Sequence, residues 1–376
     1  MGLFLGPLLF VIILFIPIEE FEQELSFEAK IVLAATIWMG VWWITEAIPI
    51  YVTALLPLVI FPSLYVTSIE ETSSNYADSI IFLFLGGFLL AKAVEKSNLH
   101  KRFAYTILNI FGTNPKYIVA AFMLVTWILG AWMSNTATTI LMLPIALAVI
   151  SLINDIRKHE RFVTCLVLSV AYSASIGGVT TLIGTPPNAI FASLANSITG
   201  TDVTFSQWLL MGLPISAISL FIAWLYMIRF GSKITDIKSD IIGGRNIIKK
   251  KISELGHLSR DEKVVAAVFV LTAAAWITRG LLWKDIFPMI GDSTIAIASA
   301  ISLFILPSTS GSSKHTGKEL KDKGFDYDRA ERIVENSESA GNTSNTSRIL
   351  DWNTAVKIPW GGLELRIYFI RNRICI

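Results

Sequence analysis

The sequence is poor in charge, cysteine and histidine, and each shortage closes off a class of function. Only 16% of its 376 residues are Asp, Glu, Lys or Arg, against roughly a quarter in a soluble globular domain. Those charges cluster between long apolar runs instead of spreading along the chain. A net charge of +2, with no basic stripe interleaved with aromatics, gives no reason to expect nucleic acid as a partner. Two cysteines, Cys165 and Cys375, cannot build a disulfide framework, and Cys165, inside an apolar run, reads as a packing residue. The histidines His100, His159, His257 and His315 are scattered in loops. No H-E-x-x-H and no intramembrane Asp pair occurs, so the ionisable cluster an embedded enzyme needs is missing. The stretch from Gly2 to Ile18 also lacks a basic leader and an A-x-A-like cleavage site, and its flank is acidic, which makes it a retained first span.

What the sequence has is apolar length: 53% of its residues are hydrophobic. A hydrocarbon layer of ~30 Å takes about 20 helical residues. Windows of that size fall at 3–18, 29–48, 50–66, 79–95, 117–133, 137–153, 163–183, 207–230, 264–283 and 286–306. Most are apolar on nearly every face, as expected of an all-α polytopic membrane protein surrounded by lipid bilayer. With the amino terminus inside, the inner segments carry Lys96, Lys101, Arg102, Lys116, Arg157, Lys158, Arg161, Arg229, Lys233, Lys238, Arg245, Lys249, Lys250, Lys251, Arg260 and Lys263. The outer ones carry Lys30, Arg279 and Lys284. That asymmetry places the amino terminus inside, in a plasma membrane or bacterial inner membrane.

The count is the same whether 117–133 and 137–153 span separately or form a hairpin that enters and returns on one side. The turn between them, Ser134-Asn135-Thr136, is polar but uncharged. Polar backbone at membrane depth is tolerated only when buried in protein or lining a cavity, which favours the re-entrant form. A second break comes at Gly177-Gly178 and Thr181-Leu182-Ile183-Gly184-Thr185-Pro186-Pro187-Asn188. Gly184 permits unusual backbone angles, and two prolines supply no N–H, so the helix must open and free carbonyl oxygens. Carbonyls with Ser, Thr and Asn oxygens suit Na⁺. A half-helix amino end near Ala137 offers N–H groups and a positive dipole to an anion. A dianion is thereby held without the cost of a buried Lys or Arg. Small polar residues in membrane helices often serve only close packing; two such elements together argue for a site.

Trp42 to Pro49 (W-W-I-T-E-A-I-P), Phe82 to Ala91 (F-L-F-L-G-G-F-L-L-A), S-N-T-A-T-T-I-L-M-L-P and I-G-T-P-P-N resemble motifs of the divalent anion:sodium symporter family, carriers of dicarboxylates, citrate or sulfate. The resemblance runs from about Phe27 to Leu306 and resumes over Asp351 to Gly361. It implies an inverted repeat with a scaffold and a moving transport domain, an elevator mechanism and a homodimer. It also implies that Ser134-Asn135-Thr136 is the tip of a re-entrant hairpin. Carried over, Asn135, Thr136, Thr185 and Pro186 contact a small dianionic substrate, and Ser134, Asn135, Gly184 and Asn188 hold Na⁺. Gly130 stands where relatives often carry Ser, which puts one sodium ligand in doubt.

The organisation expected is 1–112, first spans and an interfacial helix; 113–206, the hairpin and unwound helix; 207–263, a span and a basic inner segment; 264–307, spans of a second repeat; 308–348, a polar linker; and 349–376, an incomplete tail. The resemblance implies a second hairpin after D-W-x-T-A-x-K-I-P-W-G. The chain instead reads Gly362 to Ile376, with Glu364, Arg366, Arg371 and Arg373, as after a shifted frame. The expectation is therefore a truncated carrier, poor or inactive alone, or a half-carrier that associates with full-length partners. Ser344-Asn345-Thr346 repeats the motif letters in the polar linker, without apolar arms, and is given no role.

Overall fold

The computed structural model describes residues 2–16, 19–20, 23–111, 114–151, 160–231, 244–308 and 347–358. Apart from a two-residue antiparallel pairing of Glu19–Glu20 with Gln23–Glu24 and an isolated bridge between Pro307 and Arg348, its regular structure is helical. All ten apolar windows appear as helix. Five elements are long and apolar enough to cross a membrane: Phe27–Thr45, Ile69–Lys96, Glu160–Thr180, Phe205–Arg229 and Arg260–Trp283. Residues 309–346 of the linker, with Ser344-Asn345-Thr346, and the 359–376 tail lie outside the described residues.

The first layer is α1 (Gly2–Phe15), α2 (Phe27–Thr45), α3 (Ile50–Thr53) and α4 (Leu56–Ser63). Ile31, Ala35, Met39, Ile60 and Phe61 form its core. Trp38 packs at 5.4 Å on Phe10 and 5.1 Å on Trp42, so these tryptophans join helices. After α5 (Ile69–Ser74), Asp78 caps α6 (Ser79–Lys96) by accepting the Ile80 N–H at 2.9 Å. Next comes α7 (Leu99–Ile110), the expected interfacial helix, with a clear apolar face. His100, expected in a loop, is on α7 and buried, its Nδ1 3.0 Å from the Val94 carbonyl.

The second core joins α7, α8 (Pro115–Gly130), α9 (Asn135–Ile150) and α10 (Glu160–Thr180). It includes Cys165, whose Sγ lies 3.9 Å from the Met227 carbonyl. Helices α8 and α9 have 16 residues each, about 24 Å of rise, less than the hydrocarbon thickness. α8 starts where Asn114 accepts the Lys116 N–H and Pro115 occupies the first turn.

Beyond the break comes α11 (Pro186–Thr199), a separate helix the apolar windows do not isolate, because its Asn, Ser and Thr lower its hydropathy. Helix α12 (Phe205–Tyr226) opens on a capping box of Thr204 and Gln207. It exposes Leu210, Ile215, Ile218 and Ile222, as a lipid-facing span does. It runs into a π-helical turn, Met227–Gly231. Then follow α13 (Gly244–Leu255), α14 (Arg260–Thr278), α15 (Asp292–Ile305) and the short α16 (Trp352–Ala355). The 286–306 window is helical only from Asp292, since Pro288 and Gly291 hold the preceding segment open.

Two ion pairs correct the reading of charge. Arg279, counted among outer loops, is buried: its Nη1 is 3.0 Å from Asp292 Oδ1 and its Nε donates to the Ile290 carbonyl at 2.6 Å. Asp292 Oδ2 also accepts the Phe205 N–H at 2.8 Å, fixing the start of α12 to α15. Arg102 on α7 pairs with buried Glu262 at 2.8 Å and donates to the carbonyls of Leu255, Gly256 and His257. That clamp ties α7 to the α13–α14 connection.

Candidate functional site

The two polar breaks meet. Between α8 and α9, Ala131–Met133 turn the chain, and Ser134 caps α9 by accepting the Ala137 N–H at 3.3 Å. Trp132, in this turn, packs 5.8 Å from Phe205, 4.7 Å from Phe269 and 6.4 Å from Trp276; an aromatic cluster thus supports the tip. Residues 181–185 lie between α10 and α11. The buried Thr181 hydroxyl donates to the Ala131 carbonyl, joining the break directly to the hairpin turn.

Close backbone approach explains the glycines. A methyl group at Gly130 would lie 2.9 Å from the Ala174 carbonyl, and one at Gly177 would strike the Trp127 carbonyl. Gly130 therefore lets α8 reach α10, and the absence of a serine there has a packing cause. Gly184 has no positive φ. Its role is contact, since a Cβ there would sit 2.5 Å from the Gly178 carbonyl. A Cβ on Gly178 would lie 2.5 Å from Asn135 Oδ1 and 3.2 Å from Thr185 Cβ, so Asn135, Gly178 and Thr185 share one small space.

The two asparagines differ. Asn188, 5% exposed, donates through Nδ2 to the carbonyls of Gly178 at 2.8 Å and Thr181 at 2.7 Å. Thr181 O also accepts the Gly184 N–H at 3.2 Å. The break was expected to free carbonyl oxygens; those of Gly178 and Thr181 are instead braced by the Asn188 side-chain amide. Asn135 Oδ1 is buried without a hydrogen-bond partner, as is the Thr138 hydroxyl one turn on. Leaving such a group unpaired costs about 1–3 kcal/mol, and a cation would satisfy the oxygens of both. Thr138 was missed from sequence because a hydroxyl in a helix normally bonds its own preceding turn, as Thr139 does to the Asn135 carbonyl at 2.8 Å.

The helix ends differ too. At α9, Asn135 and Thr136 are the first helical residues, and intrahelical bonding leaves their N–H groups without partners; Thr136 is exposed. At α11, the cap residue Thr185 makes no side-chain cap bond, Pro186 and Pro187 have no N–H, and the Asn188 N–H reaches the Thr185 carbonyl at 3.3 Å. Amide donors for an anion come from α9; Thr185 and Pro186 add only a hydroxyl and an apolar ring. The oxygens gathered here belong to hydroxyl, amide and backbone groups, all neutral, as suits a monovalent cation.

The chain is 39% identical over 373 residues to proteins named sodium-dependent dicarboxylate transporter SdcS in Staphylococcus aureus strains USA300 and COL. Each alignment covers 97% of this chain and 65% of the relative; the chain spans about 65% of the length of the curated relatives it matches. These relatives are named for transport, not catalysis. Residues 1–365 match a family described as sodium:sulfate symporter transmembrane region, a match that takes in both polar breaks and every apolar helix, and the chain belongs to that family.

Proposed function

We propose that this chain takes part in sodium-coupled transport of small dianions, dicarboxylates foremost, with the Ser134–Thr136 tip and the 181–188 break forming one binding centre. The observation that carries the reading is Asn135 Oδ1: buried, unpartnered and facing Gly178 and Thr185. Na⁺ is held by oxygens of Ser134, Asn135, Gly184 and Asn188, and Thr138 adds a further hydroxyl. The bound cation lowers the cost of bringing a carboxylate to the amino end of α9, where Asn135, Thr136, Thr185 and Pro186 meet it. Charge neutralisation at one point couples the two solutes: each raises the other's affinity by the same factor.

The short arms of α8 and α9 and the uncharged turn support a re-entrant hairpin. An inverted repeat, elevator motion, a homodimer and an inner amino terminus belong to this reading as well. The expectation that the chain alone carries poorly turns on residues 359–376, outside the described residues.

Binding tests the proposal without requiring transport. Radiolabelled succinate should bind purified protein in NaCl and not in choline chloride, and sulfate should compete. Equal binding in both salts would reject sodium coupling. The half-carrier alternative is read by co-purification with a full-length relative.

A further inference from the structure

A cleft of about 720 Å³ runs along α9, lined on one side by Ala137, Ile140, Pro144 and Ala148. On the other side it is lined by Lys92, Glu95, Asn98, Lys101 and Tyr105, with Lys251 of α13. From Val149 to Ala137 the α9 wall covers about 18 Å, so the cleft starts beside the interfacial helices and ends within one turn of Asn135 and Thr136. We propose that this cleft is a water-filled, positively biased passage that delivers anions to the amino end of α9, with Lys101 and Lys251 at its mouth setting the selectivity for negative charge. The inference deepens the functional reading above and rests on it.

Two observations support water here over lipid. Seven of its fourteen lining residues are polar or charged, and ammonium groups facing hydrocarbon are expensive. Pro144 has no N–H to give the carbonyl of Ile140 one turn earlier, and both residues line the cleft. In hydrocarbon that carbonyl loses its helix partner, whereas water replaces it.

The sign of the field follows from the ammonium groups. Three line the cleft against one carboxylate. Lys92 is paired with Glu95 at 2.7 Å, and Lys251 with Glu254 at 2.8 Å. Lys101 is exposed and has no carboxylate partner among the described residues. With the other two ammonium groups paired, Lys101 leaves the lining net positive, and a net field of one sign concentrates counter-ions and raises their arrival rate. Placing the charge at the mouth avoids the desolvation that a lysine beside the binding centre would suffer.

The test is thiol accessibility of the full chain in vesicles. Ile140→Cys and Ala148→Cys are made in a Cys375→Ser background, with Ile215→Cys on the apolar α12 as a lipid-facing comparison. Rates are measured with a sulfonate-bearing and a trimethylammonium-bearing methanethiosulfonate. Both cleft positions should react well above Ile215→Cys, with the anionic reagent faster by about tenfold, the lower range of electrostatic steering. Lys101→Gln with Lys251→Gln should bring that ratio close to one. Reaction no faster than at Ile215→Cys, a ratio of one or less, or a ratio unmoved by the lysine changes overturns the passage. If the double variant misfolds, each single variant should lower the ratio, and raising the salt concentration should do so without any substitution. Labelling does not depend on succinate binding, so failure of the binding reading and failure of the passage are seen separately.

Discussion

The amino ends of α9 and α11 lie side by side and carry the same side chain, yet their asparagines do opposite work. Asn188 spends both amide hydrogens on carbonyls of Gly178 and Thr181; it holds the break together. Asn135 keeps its carbonyl oxygen buried and unpaired. Two prolines strip α11 of donors, whereas α9 retains its first N–H groups. Bracing is concentrated in one half of the centre: Asn188 commits its amide hydrogens to the backbone and keeps only its Oδ1 to offer, whereas Asn135 has its Oδ1 uncommitted from the start.

Substitutions can break this division, and the brace should matter most. Asn188→Ala takes the amide donor from the Gly178 carbonyl, leaves the Thr181 carbonyl only the Gly184 N–H, and should destabilise the protein by about 2–4 kcal/mol, read by denaturation in detergent, with sodium-dependent binding lost as well. Gly178→Ala places a methyl against Asn135 Oδ1; overpacking of this kind costs about 1–3 kcal/mol, and the sodium response should disappear with it. Asn135→Ala removes no hydrogen bond through Oδ1, so stability should change by less than about 1 kcal/mol. Its sodium affinity should nonetheless fall at least about tenfold, or 1.4 kcal/mol. If Asn135→Ala proves as destabilising as Asn188→Ala, the two asparagines are not divided as described.

The smallest effect lies outside the site. Burial alone raises Asp351, but the Lys96 ammonium at 2.6 Å and the Thr354 N–H and hydroxyl hold it at about 2, below its usual 3.8. A depressed carboxylate contributes stability above its unfolded value that is lost as pH falls through about 2. Half-exposure screens the pair, so the contribution is below about 1 kcal/mol. Lys96→Gln should flatten the acid limb of stability between pH 4 and 2 and leave sodium binding at pH 7 unchanged.

Apolar periodicity made the membrane helices and both polar breaks legible, since neither depends on distant residues. The motif letters likewise singled out Ser134, Asn135, Gly184 and Asn188, and the fold brings their two segments into contact through Gly178. What stayed hidden depends on sequence-distant partners. Arg279 looks like a loop charge until Asp292 is folded against it, and His100 looks exposed until α7 packs down. Gly130 and Gly184 read as a missing ligand and a flexible joint; both are points of backbone contact. Asn188 reads as an ion ligand, and only its two carbonyl partners show it to be a brace as well.

The most direct measurement is a structure determined in NaCl and again in choline chloride. Density for an ion within coordination distance of Asn135 Oδ1, present with sodium and absent with choline, is the result this account predicts. Asn135 Oδ1 hydrogen-bonded to protein in both salts, with no ion beside it, would contradict it.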